Sequence, residues 1–232
     1  MGDFLALRIN SRTMIKNADT KSNQTVSSEE IDSLLTSIVS SPELHFKWLN
    51  TLSLLEHIGA RKIHTSQTGT GLSEMVLRHA SEEARHAAYF KKLALKVLPE
   101  GSKTFGKDSL LSGFSAVSYF QKLDLCVERS FKSDSLPKAT KSFLCYLYVT
   151  KMIEERAGLV YEIYDQILDE QKIGISIKGI IKEEESHLTE MDSNLEELDP
   201  KFQARAEEFR KAEYGFFVKY FHNLRKEVFQ YS

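Results

Sequence analysis

The chain has 232 residues, only four prolines and 11 glycines, and 31 Lys and Arg against 33 Asp and Glu. A formal net charge of −2, with both signs interspersed, excludes a nucleic-acid footprint. No apolar run is long enough to span a bilayer. Leu, Lys, Glu, Ala and Ser dominate and Val/Thr alternation is nearly absent, so the expected fold class is all-α. Cys126 and Cys145 lack metal-type spacing and read as small core residues in a reducing compartment. Met1 to Arg8 holds too short an apolar stretch for a signal peptide, so a cytoplasmic protein is the expectation.

Residues 1–26, polar from residue 10 onward, are expected to be a flexible segment ahead of one helical domain, 27–232. Ser27-Ser28-Glu29-Glu30 reads as a capping box that opens a short helix to about Val39. Ser41-Pro42 starts a second helix, about 42–66, which ends before Gly69-Thr70-Gly71. Its apolar stripe is His45, Leu49, Leu52, Glu56, Gly59, Ile63. The third helix, about 71–98, stops at Leu98-Pro99 and carries Leu72, Val76, His79, Glu83, His86, Phe90, Leu93, Val97 on one face.

After a loop over 100–108, an amphipathic helix runs from about Leu110 to Phe131, with no ligand-like residue on its apolar face. Ser135-Leu136-Pro137 opens a long helix, about 137–168, whose stripe is Phe143, Leu147, Thr150, Glu154, Ala157, Tyr161, Tyr164, Leu168. The next helix, about 173–198, reads Ile173, Ile177, Ile180, Glu184, His187, Met191, Asn194, Leu198. Gly174 and Gly179 are expected to weaken it by roughly 0.5–1 kcal/mol each relative to Ala. Asp199-Pro200 caps a terminal helix with an aromatic face of Phe209, Phe216, Tyr220 and Phe229.

Two stripes contain Glu-x-x-His: Glu83-Ala84-Arg85-His86 and Glu184-Glu185-Ser186-His187. With seven His in a Glu-rich chain, chance supplies such a motif about once. Register carries more weight. Residues three apart on a helix share a face, so each pair can grip one ion. Both pairs, with Glu56 and Glu154, sit mid-stripe, where an unpaired carboxylate is costly. Six residues on four inward faces make a metal-ligand set: Glu56, Glu83, His86, Glu154, Glu184 and His187. Glu83 and Glu184 are expected to bridge two ions, with Glu56 and His86 capping one and Glu154 and His187 the other. Four carboxylates balance two divalent ions, and this N/O donor set suits two Fe ions, with Mn an alternative at one or both positions.

Several neighbours are weighed against these. His79 lies one turn before Glu83 on the same face; a core or supporting histidine is the plainer reading, a seventh ligand the sharper one. Glu155, Glu82 and Glu185 fall off the stripes and read as exposed, and His57 points away. Arg85 and Arg156 are candidates to hydrogen-bond carboxylates around the ligands. Tyr161 and Tyr164 extend the Glu154 stripe, either as packing or as an electron or proton relay.

The order Glu, Glu-x-x-His, Glu, Glu-x-x-His over about residues 42–198 resembles the ferritin-like di-iron carboxylate superfamily. Met152-Ile153-Glu154 followed by Tyr161 and Tyr164 is similar to the third ligand helix of aldehyde-deformylating oxygenases. The resemblance implies a ferritin-like four-helix bundle with one long helical crossover between its two helix pairs and additional helices at both ends. Phe90 stands where the small subunit of ribonucleotide reductase often has its radical tyrosine. The implied activity is an oxidoreductase that uses O₂ or peroxide to oxidise an organic substrate of unknown identity. An external electron donor is also implied, since no reductase module is encoded. A ferroxidase or iron-handling protein, or a helical interaction protein with a structural metal, is the alternative. No membrane partner is expected, and a homodimer is compatible with the pattern.

Overall fold

The computed structural model describes residues 25–67 and 72–230. Among these residues it holds seven α-helices and no strand: α1 Ser28–Val39, α2 Pro42–Ser66, α3 Glu74–Val97, α4 Gly113–Ser130, α5 Lys138–Glu170, α6 Lys178–Leu198 and α7 Phe202–Gln230. A short 3-10 turn, Lys107–Ser109, precedes α4. No described helix is long and apolar enough to cross a membrane.

Local chemistry sets the helix starts. Ser27 Oγ accepts from the Glu30 N–H and the Glu30 carboxylate accepts from the Ser27 N–H, a complete capping box. Ser41 caps α2 ahead of Pro42, and Ser73 caps α3 by accepting from Val76 N–H.

Four helices surround the centre as antiparallel neighbours. Along α2 and α3, Asn50 meets Lys91, Ser53 Oγ donates to the Ala87 carbonyl at 2.7 Å, and Gly59 abuts Glu83. Along α5 and α6, Lys151 pairs with Asp192 at 2.6 Å, and Asp165 accepts from Ile177 N–H at 2.8 Å. Side chains join α3 to α6 in the same sense, with Arg78 on Glu190 and Tyr89 on the Ser176 carbonyl. His45 meets Tyr164 and Gln67 meets Ser142 along α2 and α5. The connection containing α4 therefore joins two parallel helices, α3 and α5. Their parallel sense shows in His79 against Tyr146 and Phe90 against Tyr161.

Helices α1, α4 and α7 cover α2 and α5. Two apolar clusters result. One gathers around Leu49, Phe90, Tyr164 and Phe221, the other around Leu123, Leu147, Tyr148 and Phe209. The polar residues of the central stripes lie between them.

Some sequence expectations shift. Residues 1–24, most of the expected flexible segment, and the whole of Gly69-Thr70-Gly71 lie outside the described residues. Val26, assigned to that segment, is buried, and its N–H donates to the Tyr214 hydroxyl. Helix α6 begins at Lys178, not near Ile173. Gly174 sits before it at φ +70°, a conformation glycine adopts freely, so it ends a turn instead of weakening a helix. Asp165 holds that turn through Ser176 and Ile177. Late in α6 the buried position is Leu195, with Leu198 exposed. In α7 the inward residues are Phe209, Phe217, Tyr220 and Phe221, while Phe229 is exposed. Over a 29-residue helix a face drawn in fixed steps drifts off the 3.6-residue period.

Helix α7 is tied to α5 by an ion pair between the partly buried Arg156 and the buried Glu213. Arg156 Nε and Nη2 donate to Glu213 at 3.0 and 2.7 Å, and the Tyr119 hydroxyl donates to the same carboxylate at 2.6 Å. Glu213→Ala strands a largely enclosed guanidinium. The expected loss is about 3 kcal/mol of stability, read from the urea midpoint. A loss under about 1 kcal/mol would mean that water reaches Arg156 and solvates it.

Candidate metal centre

Each of the four central helices brings a carboxylate inward at mid-length. Glu56 comes from α2, Glu83 from α3, Glu154 from α5 and Glu184 from α6, and all four are buried, as are His79, His86 and His187. The side chains form two overlapping groups. Ligand atoms of Glu56, Glu83, His86 and Glu184 all lie within 4.8 Å of one another, as do those of His79, Glu83, Glu154 and His187. Glu83 belongs to both groups. All six residues read as ligands from the sequence are in these groups, and His79 joins them. Its Nε2 lies 3.1 Å from Glu83 Oε1 and 2.9 Å from Glu154 Oε1.

The histidines are oriented from behind. His86 Nε2 lies 2.7 Å from Glu183 Oε2, and His187 Nε2 lies 2.7 Å from Glu82 Oε2. A carboxylate only accepts, so both Nε2 atoms carry a proton, and both Nδ1 atoms are turned to the centre, where a cation that displaces the Nδ1 proton would find a lone pair. His86 Nδ1 is 3.1 Å from Glu184 Oε1, and His187 Nδ1 is 3.5 Å from Glu154 Oε1. His79 is turned the other way. Its Nδ1 meets the Tyr146 hydroxyl at 2.6 Å and its Nε2 faces the carboxylates.

The chemistry of these atoms fits a cation. His86 Nδ1, His187 Nδ1, both Glu154 oxygens and Glu184 Oε2 are buried without a well-formed hydrogen bond, met only by ion-pair approaches such as His79 Nε2 on Glu154 Oε1 at 2.9 Å and His86 Nδ1 on Glu184 Oε1 at 3.1 Å. Five such atoms in one place would be expensive without a ligand to satisfy them. Gly59 makes a cradle beside them, since a Cβ there would stand 2.9 Å from Glu83 Oε2. Without a cation the charges must be met by protons. Burial, with Glu83 and Glu184 close by, pushes the Glu56 carboxyl well up. Burial and Glu184 raise Glu154 to about 7. Burial alone would lower His187, but Glu154 and Glu184 hold it at about 11. Protons and a divalent ion compete for the same lone pairs.

The sequence reading missed the supports. Glu82 lies off the apolar stripe and reads as exposed from the sequence, yet its side chain is only 20% exposed and holds His187. Glu183 was not singled out. The signal was present: each motif reads Glu-Glu-x-x-His, and the first Glu of each serves the histidine of the other helix. Arg85 donates to Glu183 at 2.9 Å, and Arg78 reaches Glu82 and Glu190. Arg156 serves Glu213 instead, away from the cluster. Glu155 is partly buried but faces out of the centre, engaged by Lys151 and Arg210. Glu185 and His57 are exposed. Of the two tyrosines, Tyr161 donates to Glu56 Oε1 at 2.6 Å, whereas Tyr164 bonds His45, away from the cluster.

No protein-family model, curated protein or solved structure matches the chain.

Gly59→Ala should displace the Glu83 carboxylate and lower the amount of Fe(II) or Mn(II) retained after gel filtration. Gly158→Ala, where a Cβ meets nothing within 4 Å, should leave it unchanged. Equal metal retention in both variants would show that the Gly59 clearance is immaterial.

Proposed function

We propose that the chain is a two-metal carboxylate oxidoreductase of the ferritin-like kind, which reduces O₂ and oxidises an organic substrate. The observation that carries the reading is the pair of overlapping ligand groups sharing Glu83 around buried atoms that lack a well-formed hydrogen bond. The antiparallel ring, with one long connection between parallel helices, is the topology such a bundle needs. Seven residues would hold two Fe ions, or Mn at one or both positions: Glu56, Glu83, His86 and Glu184 at one, His79, Glu154 and His187 at the other, with Glu83 reaching both.

The bound ions would supply the electrons for O₂ reduction, replenished by an external donor. The chain's own residues do the rest. Glu82 and Glu183 fix the imidazole tautomers and aim Nδ1 inward. Tyr161 holds one oxygen of Glu56 and leaves the other directed to the centre. Tyr146 meets His79 Nδ1 and turns its Nε2 toward the carboxylates. Four helices packed on two apolar clusters keep these groups in place and keep bulk water out.

Iron-loaded protein prepared without O₂ should retain about two ions per chain by metal analysis. Changing His86 and His187 together to Ala should remove them, and His79→Ala should weaken one position. Wild type that retains no metal ends the proposal.

With metal bound, Glu154→Ala should abolish O₂ uptake by the reduced protein while Glu155→Ala preserves it. The reverse order would place the wrong carboxylate at the centre. O₂ uptake with iron accumulating and no organic product would instead identify a ferroxidase, and two retained ions without O₂ uptake would identify a structural metal.

A further inference from the structure

An apolar cavity of about 190 Å³ adjoins the cluster. Glu56, Glu83, Glu154 and Glu184 form one end of it, and none of His79, His86 or His187 lines it. Its wall includes Leu35 of α1, Leu52 and Leu55 of α2, Ile153 and Val160 of α5, and Phe221 of α7. Leu55, Ile153 and Val160 are only partly buried, although they pack against the two apolar clusters. The polar members Lys62, Gln121 and Asp124 mark its mouth between α2 and α4.

We propose that this cavity is the substrate pocket of the reaction proposed above, on which the inference rests. Its occupant is an uncharged, mainly apolar molecule of ring or short-chain size. Size comes first. An apolar protein cavity of about 150 Å³ holds benzene, so this one admits a single ring or a short alkyl chain. Charge comes second. Both cationic side chains of the wall are engaged, Lys62 with Asp124 and Arg156 with Glu213. An anionic headgroup would meet carboxylates and no free cation. A cationic one would find those carboxylates already neutralised by two divalent ions, and would lose its hydration without a counter-charge. The substrate meets the cluster from its carboxylate side, opposite the histidines.

Trp48 is the only tryptophan of the chain and lines the cavity, so its emission reports occupancy. Mn(II)-loaded protein is titrated with toluene and, separately, with benzoate. Trp48 fluorescence and the Mn(II) paramagnetic resonance signal are followed together. Toluene should change both saturably, and benzoate should change neither. Ala157→Phe, which fills the cavity, should weaken toluene binding by about tenfold or more. Leu55→Ala, which enlarges it, should retain toluene and admit naphthalene, read on the Mn(II) signal. Two bound Mn(II) ions with no response to toluene overturn the pocket and leave the metal reading standing. Benzoate binding as tightly as toluene overturns the ligand class. Toluene binding by a chain that retains no metal overturns the assignment as a substrate pocket, together with the function it rests on. Unaltered toluene affinity in Ala157→Phe places the binding elsewhere and also overturns it.

Discussion

Four carboxylates enclosed between two apolar clusters are the constraint on which the rest of the molecule depends. In a low-dielectric interior they repel one another, and isolated ions there would be strongly disfavoured. Positive charge must come from inside the cluster, because the nearby arginines are committed elsewhere. Arg156 is held by Glu213, and Arg78 and Arg85 stand behind Glu82, Glu183 and Glu190. Three imidazolium ions and a protonated Glu56 can balance that charge. Divalent ions would replace those protons and would also satisfy the five atoms that lack a well-formed hydrogen bond. A core arranged in this way is more readily explained by a ligand than by packing.

The same constraint explains the polar architecture between α3 and α6. These two helices meet through side chains, and their contacts repeat. Each donates a histidine to the centre, and each supports the other's histidine with the glutamate that precedes its own ligand. Arg85 then anchors Glu183, and Arg78 approaches Glu82 at 3.8 Å. Because the supports are exchanged between helices, the tautomers of both histidines depend on α3 and α6 keeping register. A slip of one residue in either helix would turn Glu82 or Glu183 away and undo both. The near-repeat of the two motifs in the sequence therefore corresponds to a physical pairing.

Much of this was legible in the sequence because burial on a helix leaves a periodic trace. The steps from His45 to Ile63 and from Phe143 to Leu168 identify the inward faces, and the acids on those faces are the ones that converge. The caps at Ser27 and Ser41 were legible for the same reason, since each is a local hydrogen bond between near neighbours. Three kinds of feature were not. Supports such as Glu82 and Glu183 sit off the apolar stripe and acquire meaning only from a facing helix. The turn at Gly174 depends on Asp165 of the preceding helix, so a pattern of isoleucines alone ran α6 too far back. The inward face of α7 drifts over a length that fixed steps cannot follow, which exchanged Phe216 and Phe229 for Phe217 and Phe221.

The cavity bears on the choice between an enzyme and an iron handler. Iron alone needs a polar approach, and partly exposed carboxylates on the Glu82 and Glu183 side could serve that need. It has no use for an apolar space on the opposite side. Apolar wall that no side chain covers is burial the fold forgoes. Larger side chains at Ala157, Leu55 or Val160 would remove the space without touching any ligand, and the chain does not carry them. An apolar space of about 190 Å³, bounded at one end by all four carboxylates, is accounted for if an apolar molecule occupies it during the protein's work. This favours oxidation of an organic substrate over the handling of iron alone.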